Sequence, residues 1–230
     1  MTNLLDARSL ERSEVIANAC MNRERNLTGG NSYGKELRLA PVEHLKKVLT
    51  AKEQATWLDL CCGTGRALIQ AAETLERLGL SDSVRMVGID LAPMFVPITP
   101  EMRSLRLIAG SVERWKTRDR FDLITCVHGL HYVGDKLGLI QRAAHWLTAN
   151  GQLMMHLDMH NLKLAQPAAR SRFAAGLRRA GFRYLSGRHL LLREGNAEFS
   201  PLPYHYIGAD DTAGPNFTGQ PAVDSYYEPK

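Results

Sequence analysis

Residues 57–69, Trp-Leu-Asp-Leu-Cys-Cys-Gly-Thr-Gly-Arg-Ala-Leu-Ile, carry an apolar strand ending in an acid, Asp59, straight into a glycine turn and then into a helix. Glycine at Gly63 and Gly65 lets backbone NH groups and the helix N-terminus approach a ligand closely, so a carboxylate or phosphate is the expected guest. The turn alone is a weak signal. It gains weight from a second acid, Asp90, which closes the next apolar strand, Val87-Gly88-Ile89-Asp90. A carboxylate offers only acceptors, and at that place it suits the paired hydroxyls of a ribose.

At these residues the chain resembles the class I S-adenosylmethionine-dependent methyltransferases. The first motif of that family reads acid-apolar-Gly-x-Gly-x-Gly, and here it is Asp59-Leu60-Cys61-Cys62-Gly63-Thr64-Gly65, with Cys61 in the place of the first glycine. The later landmarks follow in family order: Asp90, then Ile108-Ala109-Gly110-Ser111, then Phe121-Asp122-Leu123-Ile124-Thr125-Cys126-Val127. The resemblance spans residues 57 to 158. It implies a Rossmann-like α/β fold, with a mostly parallel seven-stranded sheet and helices on both faces, and S-adenosylmethionine as cofactor. It also implies roles for single residues: Gly63 and Gly65 beside the methionine part, Asp59 toward its ammonium, Asp90 at the ribose, Ser111 with Val112 at the adenine edge, and Leu91 among the cofactor-binding residues. Many relatives have an acid where Ser111 stands, so a hydroxyl replaces a carboxylate at the adenine amino group.

A dinucleotide-binding oxidoreductase shares the strand, turn, helix and ribose acid. Its fingerprint demands a third glycine three positions after the second, and here that position is Leu68. Asp59 argues the same way, because an acid at the end of the first strand suits a sulfonium with an ammonium group better than a pyrophosphate.

With 230 residues, of which 44% are hydrophobic, the chain is long enough for one substantial core and short for two. The sequence shows neither an apolar run of membrane-spanning length nor a basic-then-apolar leader, and a cytoplasmic enzyme with no membrane partner is expected. Cys61, Cys62, Cys126 and Cys20 lack the spacing of a zinc or redox motif and read as reduced packing residues. The net charge of +5 raises the prospect of a polyanionic partner. However, Arg170, Arg172, Arg178 and Arg179 fall on the solvated side of a helix whose apolar positions are Ala169, Phe173, Leu177 and Ala180. The turn after the fourth strand, Val127-His128-Gly129-Leu130, also lacks the Asn/Asp-Pro-Pro-aromatic pattern of relatives that methylate nucleic-acid amines. A nucleic-acid partner is therefore not expected, and oligomeric state is not legible.

The alternation of elements divides the chain into an N-terminal helical extension with a lid (1–50), a cofactor-binding domain (51–208) and an irregular tail (209–230). Residues 1–24 read as a weakly amphipathic helix. Arg25 to Gly34 read as a turn-rich loop whose Tyr33 either folds over the cofactor or anchors the loop by its ring. Three prolines, Pro93, Pro97 and Pro100, leave the crossover after Asp90 with a short or broken helix. The last two strands of the sheet are expected near 188–193 and 202–207.

In an open α/β sheet ligands bind beyond the carboxyl ends of the strands, which selects Asp59, Asp90, Ser111, His128 and Asp158. Methyl transfer from a sulfonium needs alignment above all, and a base only when the acceptor must lose a proton. His128, and after it His131, are the expected catalytic residues, since imidazole suits proton abstraction from a phenol or similar hydroxyl. The trio His156, Asp158 and His160 has ligand chemistry but no convincing spacing, and no metal is expected. The expected activity is methyl transfer to a small-molecule acceptor, at oxygen ahead of nitrogen or carbon. The alternatives are an RNA-directed methyltransferase, favoured only by the charge, and a regulatory protein that binds S-adenosylmethionine without turning it over.

Overall fold

The computed structural model describes residues 4–18, 24–165 and 169–230. Strand β1 (Ala55–Leu60) forms the middle of a seven-stranded sheet and is flanked by β2 (Val84–Asp90) and β4 (Phe121–Cys126), both parallel to it. β3 (Leu105–Ala109) extends the sheet on one side and β5 (Leu147–His156) on the other, again in parallel, and β8 (Leu190–Glu194) and β7 (Phe182–Leu185) finish it as an antiparallel pair. The order is β3-β2-β1-β4-β5-β8-β7. The chain winds outward from β1 in both directions, so a crevice opens at the carboxyl ends of β1 and β4, where ligands bind in such sheets.

Alternation along β1 assigns its residues to the two faces. Leu58 and Leu60 join the core under α6 (Lys136–His145) and α7 (Ala169–Arg179), with Leu139, Ile140, Ala143, Phe173 and Leu177. Trp57 joins the opposite core under α4 (Pro41–Leu49) and α5 (Arg66–Arg77), with Leu45, Leu68, Ala71 and Leu75. Asp59, two residues on from Trp57, therefore faces the α4/α5 side. Leu68 explains how this turn does without a third glycine. A Cβ at Gly88 of β2 would come within 2.5 Å of the Leu68 side chain, so the close helix-strand approach is made by a glycine in the strand rather than in the helix.

Several expectations need correcting. The described part of residues 1–24 is two short helices, α1 (Ala7–Leu10) and α2 (Glu14–Asn18), separated by a turn. Asp6 caps α1 through the Ser9 amide at 2.8 Å. Cys20 lies outside the described residues. Between Asp90 and β3 there is no helix at all, only irregular chain tied to the glycine turn by the Val96 amide on the Thr64 carbonyl. The prolines remove donors and fix φ along this stretch, which leaves no uninterrupted turn to propagate.

Residues 202–207 do not join the main sheet. They lead into β9 (Tyr204–Asp210), which pairs antiparallel with β10 (Asp224–Pro229), and β10 pairs in parallel with β6 (Leu162–Leu164) in a second, three-stranded sheet. The seventh main-sheet strand is the short segment Phe182–Leu185. The tail from 209 is thus not irregular. It is fastened by Lys136, 1% exposed, whose ammonium donates to the carbonyls of Val133 and Val223 and to Ser225 Oγ, each at 2.8 Å. β10 pairs with β9 across the loop 211–223 but also with the distant β6, and no apolar alternation in its own sequence marks it as a strand.

Candidate active site

The cleft at the carboxyl edge begins with two residues in unusual backbone conformations. Cys61 and His128, directly after β1 and shortly after β4, have φ of 58° and 60°, in the left-handed region that favours glycine. The chain accommodates Cys61 there because its neighbour across the turn is Gly129: a Cβ at 129 would meet Cys61 Cβ at 2.2 Å. Glycine is thus needed at this contact, though not at the position where the motif usually carries it.

Asp90, the last residue of β2, points back at the turn. Its Oδ2 accepts from the Gly63 amide at 2.8 Å and its Oδ1 from the Ala92 amide at 3.1 Å. Those two bonds hold the carboxylate in the cleft wall, where its chemistry toward a ligand hydroxyl is that of an acceptor. The same wall includes Tyr33, Cys61, Cys62, Gly63, Leu91, Ser111 and Val112. His128, His131, Tyr132, Arg25 and, from the C-terminal segment, Asn216, Thr218 and Gln220 line the same cleft.

Asp59 sits one residue inside its strand end and is 0% exposed. Tyr33 Oη donates to its Oδ2 at 2.7 Å and Thr125 Oγ1 to its Oδ1 at 2.6 Å, while Trp57 Nε1 donates to Thr125 Oγ1 at 2.8 Å. Burial, opposed by those two hydrogen bonds, pushes the Asp59 carboxyl up to about 7. Burial and the adjacent Asp59 raise the Tyr33 phenol well above its usual range.

The imidazoles gather at the other end. His128 Nε2 lies 3.1 Å from Glu36 Oε2, and its Nδ1 is 3.4 Å from His131 Nε2. His156 stacks on His128 with ring centroids 4.1 Å apart and planes 7° apart. Glu36, on the short helix α3 (Tyr33–Leu37), is held near 2 chiefly by the His128 hydrogen bond, with Arg25 contributing. It is therefore ionised, and the proton shared with it resides on His128 Nε2. Burial drives His131 down to about 2 and His156 to about 3, so both stay neutral.

A family described as a methyltransferase domain matches residues 33–194, well over half of the chain. The chain belongs to that family. Among solved structures it is similar to YjhP of E. coli, with 19% identity over 60% of this chain and 52% of that one and a TM-score of 0.39. It is also similar to the plantazolicin methyltransferase BpumL in complex with SAH (14%, 75% and 60%, TM-score 0.44) and to the N-methyltransferase NodS of Bradyrhizobium japonicum WM9 in complex with SAH (17%, 84% and 98%, TM-score 0.42). The methyltransferase spans about half the length of the first of these and three fifths of the second. No curated protein matches it.

The cleft has features that suit S-adenosylmethionine: the Asp90 carboxylate is held at the strand end, Gly63 has no side chain, and α5 opens beside it after Gly65 at φ 76°. The structure brings Tyr33, Gly63, Asp90, Leu91, Ser111, Val112, His128 and His131 to one cleft. Gly65 stands behind the wall as the cap of α5, and Asp59 beneath it, joined to the cleft through Tyr33. His156, Asp158 and His160 do not form one site: His160 Nδ1 lies 3.2 Å from Asp158 Oδ1, which also accepts from the His160 amide, but the His160 side chain is 78% exposed and His156 stacks on His128 instead. Sequence reasoning missed Glu36, which stands 92 residues before its partner His128 and carries no motif. It also missed Arg25 and the 216–220 segment, whose only signal was density in polar and glycine residues.

Proposed function

We propose that this methyltransferase acts on a small molecule, at a hydroxyl oxygen, with Asp90 at the cofactor ribose and His128 as the base. S-adenosylmethionine supplies an activated methyl group on a sulfonium. The chain's own residues must then bind and orient the two reactants and take one proton from the acceptor.

The observation that carries this reading is the Glu36–His128 pair. With Glu36 ionised and accepting from Nε2, His128 presents a lone pair at Nδ1, the side it shares with His131. The 3.4 Å contact between the two rings is long for a hydrogen bond, and an acceptor hydroxyl entering the cleft would replace it with a shorter one. Glu36 then stabilises the imidazolium that forms. His131 suits the base role less well, since burial makes its charged form costly. It is better placed to orient the acceptor, together with Asn216, Thr218 and Gln220, whose polar side chains favour a compact polar guest over an extended apolar one.

A panel of phenols, alcohols and amines assayed with isotopically labelled methyl donor tests the proposal. Methyl incorporation should be confined to hydroxyl acceptors. On the best acceptor His128→Ala should lose roughly 10²-fold in turnover while cofactor affinity stays the same. Turnover unaffected by that substitution would remove His128 from the chemistry.

A further inference from the structure

His156 is a buried imidazole with an unmet need. It is 2% exposed, its Nδ1 is buried with no hydrogen-bond partner among the described residues, and its Nε2 lies 3.7 Å from Glu36 Oε2, past hydrogen-bond reach. Its Nε2, the nitrogen turned toward Glu36, thus makes no hydrogen bond to that carboxylate, and a ligand held between them would engage it. Because its ring is stacked nearly parallel on that of His128, the Nε2 edges of both face the same carboxylate oxygen, at 3.1 Å and 3.7 Å. One ligand atom from each of Glu36, His128 and His156 lies within 4.8 Å of the other two.

We infer that Glu36, His128 and His156 form a binding site for a divalent transition-metal ion of the zinc type, and that the ion switches off the base proposed above. Zinc sits about 2.0–2.2 Å from imidazole nitrogen and carboxylate oxygen, which makes the edge of its tetrahedron about 3.3 Å. Glu36 is already close to that separation from both rings. A tilt of the rings out of their stack would bring the two nitrogen lone pairs onto one point. Two imidazoles and a carboxylate are a ligand set for zinc and its neighbours rather than for magnesium or calcium. The three ligands come from α3, the end of β5 and the turn after β4, so the ion would also clasp the N-terminal segment bearing Tyr33 to the sheet.

The consequence for chemistry rests on the reading of His128 as base. When the ion accepts the Nε2 lone pair, the proton that Nε2 carried moves to Nδ1. Imidazole remains neutral, Glu36 changes from hydrogen-bond acceptor to ligand, and no proton is lost from the ring. Nδ1 then holds an N–H where the acceptor hydroxyl needs a lone pair. Arg25, 3.3 Å from Glu36 Oε1, leaves Oε2 to the ion.

Calorimetric titration of the intact protein with zinc chloride, needing no acceptor, tests the site. One equivalent should bind, and His156→Gln and Glu36→Gln should each weaken it at least 10-fold. His160→Ala, which removes an exposed imidazole outside the trio, should change nothing. Cobalt chloride should give visible absorption bands of a four-coordinate site that vanish in His156→Gln, and circular dichroism should confirm that each variant is folded. The tautomer is read separately, from the ¹⁵N resonance of His128 Nδ1, which should change from acceptor to N–H as zinc is added. Absence of stoichiometric binding, or binding equally strong in both ligand variants, overturns the site. Binding without the Nδ1 change overturns the switch. Failure of the base reading would show itself elsewhere, as turnover that survives His128→Ala.

Discussion

Asp59 and Asp90 end consecutive buried strands, yet one residue of register separates their roles. Asp90 is the last residue of β2 and reaches the cleft, where two amides hold it. Asp59 lies one residue short of the end of β1 and spends both oxygens on Tyr33 and Thr125. The two acids looked alike in the sequence because a motif gives order along the chain and not depth within a strand. Replacing Asp90 should therefore strike ligand binding first. Asp90→Ala is expected to weaken S-adenosylmethionine and its demethylated product by about 1–3 kcal/mol, through lost charge-assisted hydrogen bonds to the ribose. Calorimetry on the folded variant checks this, and wild-type affinity would withdraw the ribose assignment. Glu36 teaches a related lesson. A carboxylate that acts through a histidine 92 positions away has no local signature, whereas His128 was legible because it stands directly after a strand end.

At the scale of elements, the parts that could be read were those whose cause is local. The strand-turn-helix from β1 to α5 follows from a short apolar run buried on both faces, Gly65 in the left-handed region and an apolar stripe along α5. β10 and the second sheet were illegible because much of what holds them is distant in sequence: the pairing of β10 to β6 and the buried Lys136. The segment from Arg25 to Gly34 is intermediate. Its glycines and Tyr33 predict a cover, and the structure ties it across α5 by the Leu27 amide on Gln70 Oε1 at 2.7 Å and by Tyr33 on Asp59. Because Arg25 and Tyr33 also line the cleft, a bound cofactor should fasten the segment further. Hydrogen exchange with and without the demethylated cofactor should show added protection across residues 25–34. The same exchange in both states would make Tyr33 an anchor and nothing more.

For the molecule as a whole, fold and family were legible because four landmarks recur in order along one sheet. The acceptor was not, since the end of the cleft proposed to receive it is lined from α3, the turn after β4 and a loop near the C-terminus. The buried acid network also links the fold to pH. Burial raises Asp59 from 3.8 to about 7, so the native state prefers it protonated. Its stabilising contribution is complete below about pH 4 and is lost as pH rises toward 7, where both folded and unfolded forms ionise. Asp59→Asn should flatten that decline, and denaturant midpoints of the two proteins measured from pH 5 to 8 should diverge below 7 and run parallel above it. Parallel profiles throughout would mean that Asp59 is ionised in the fold. The central claim is that one cleft seats the cofactor on Asp90 and turns its sulfur toward His128. A crystal structure with S-adenosylhomocysteine tests it most directly. The ribose hydroxyls should lie on the Asp90 carboxylate, with the sulfur facing the His128–His131 end, and a ribose bound away from Asp90, or a sulfur turned from the imidazoles, would contradict it.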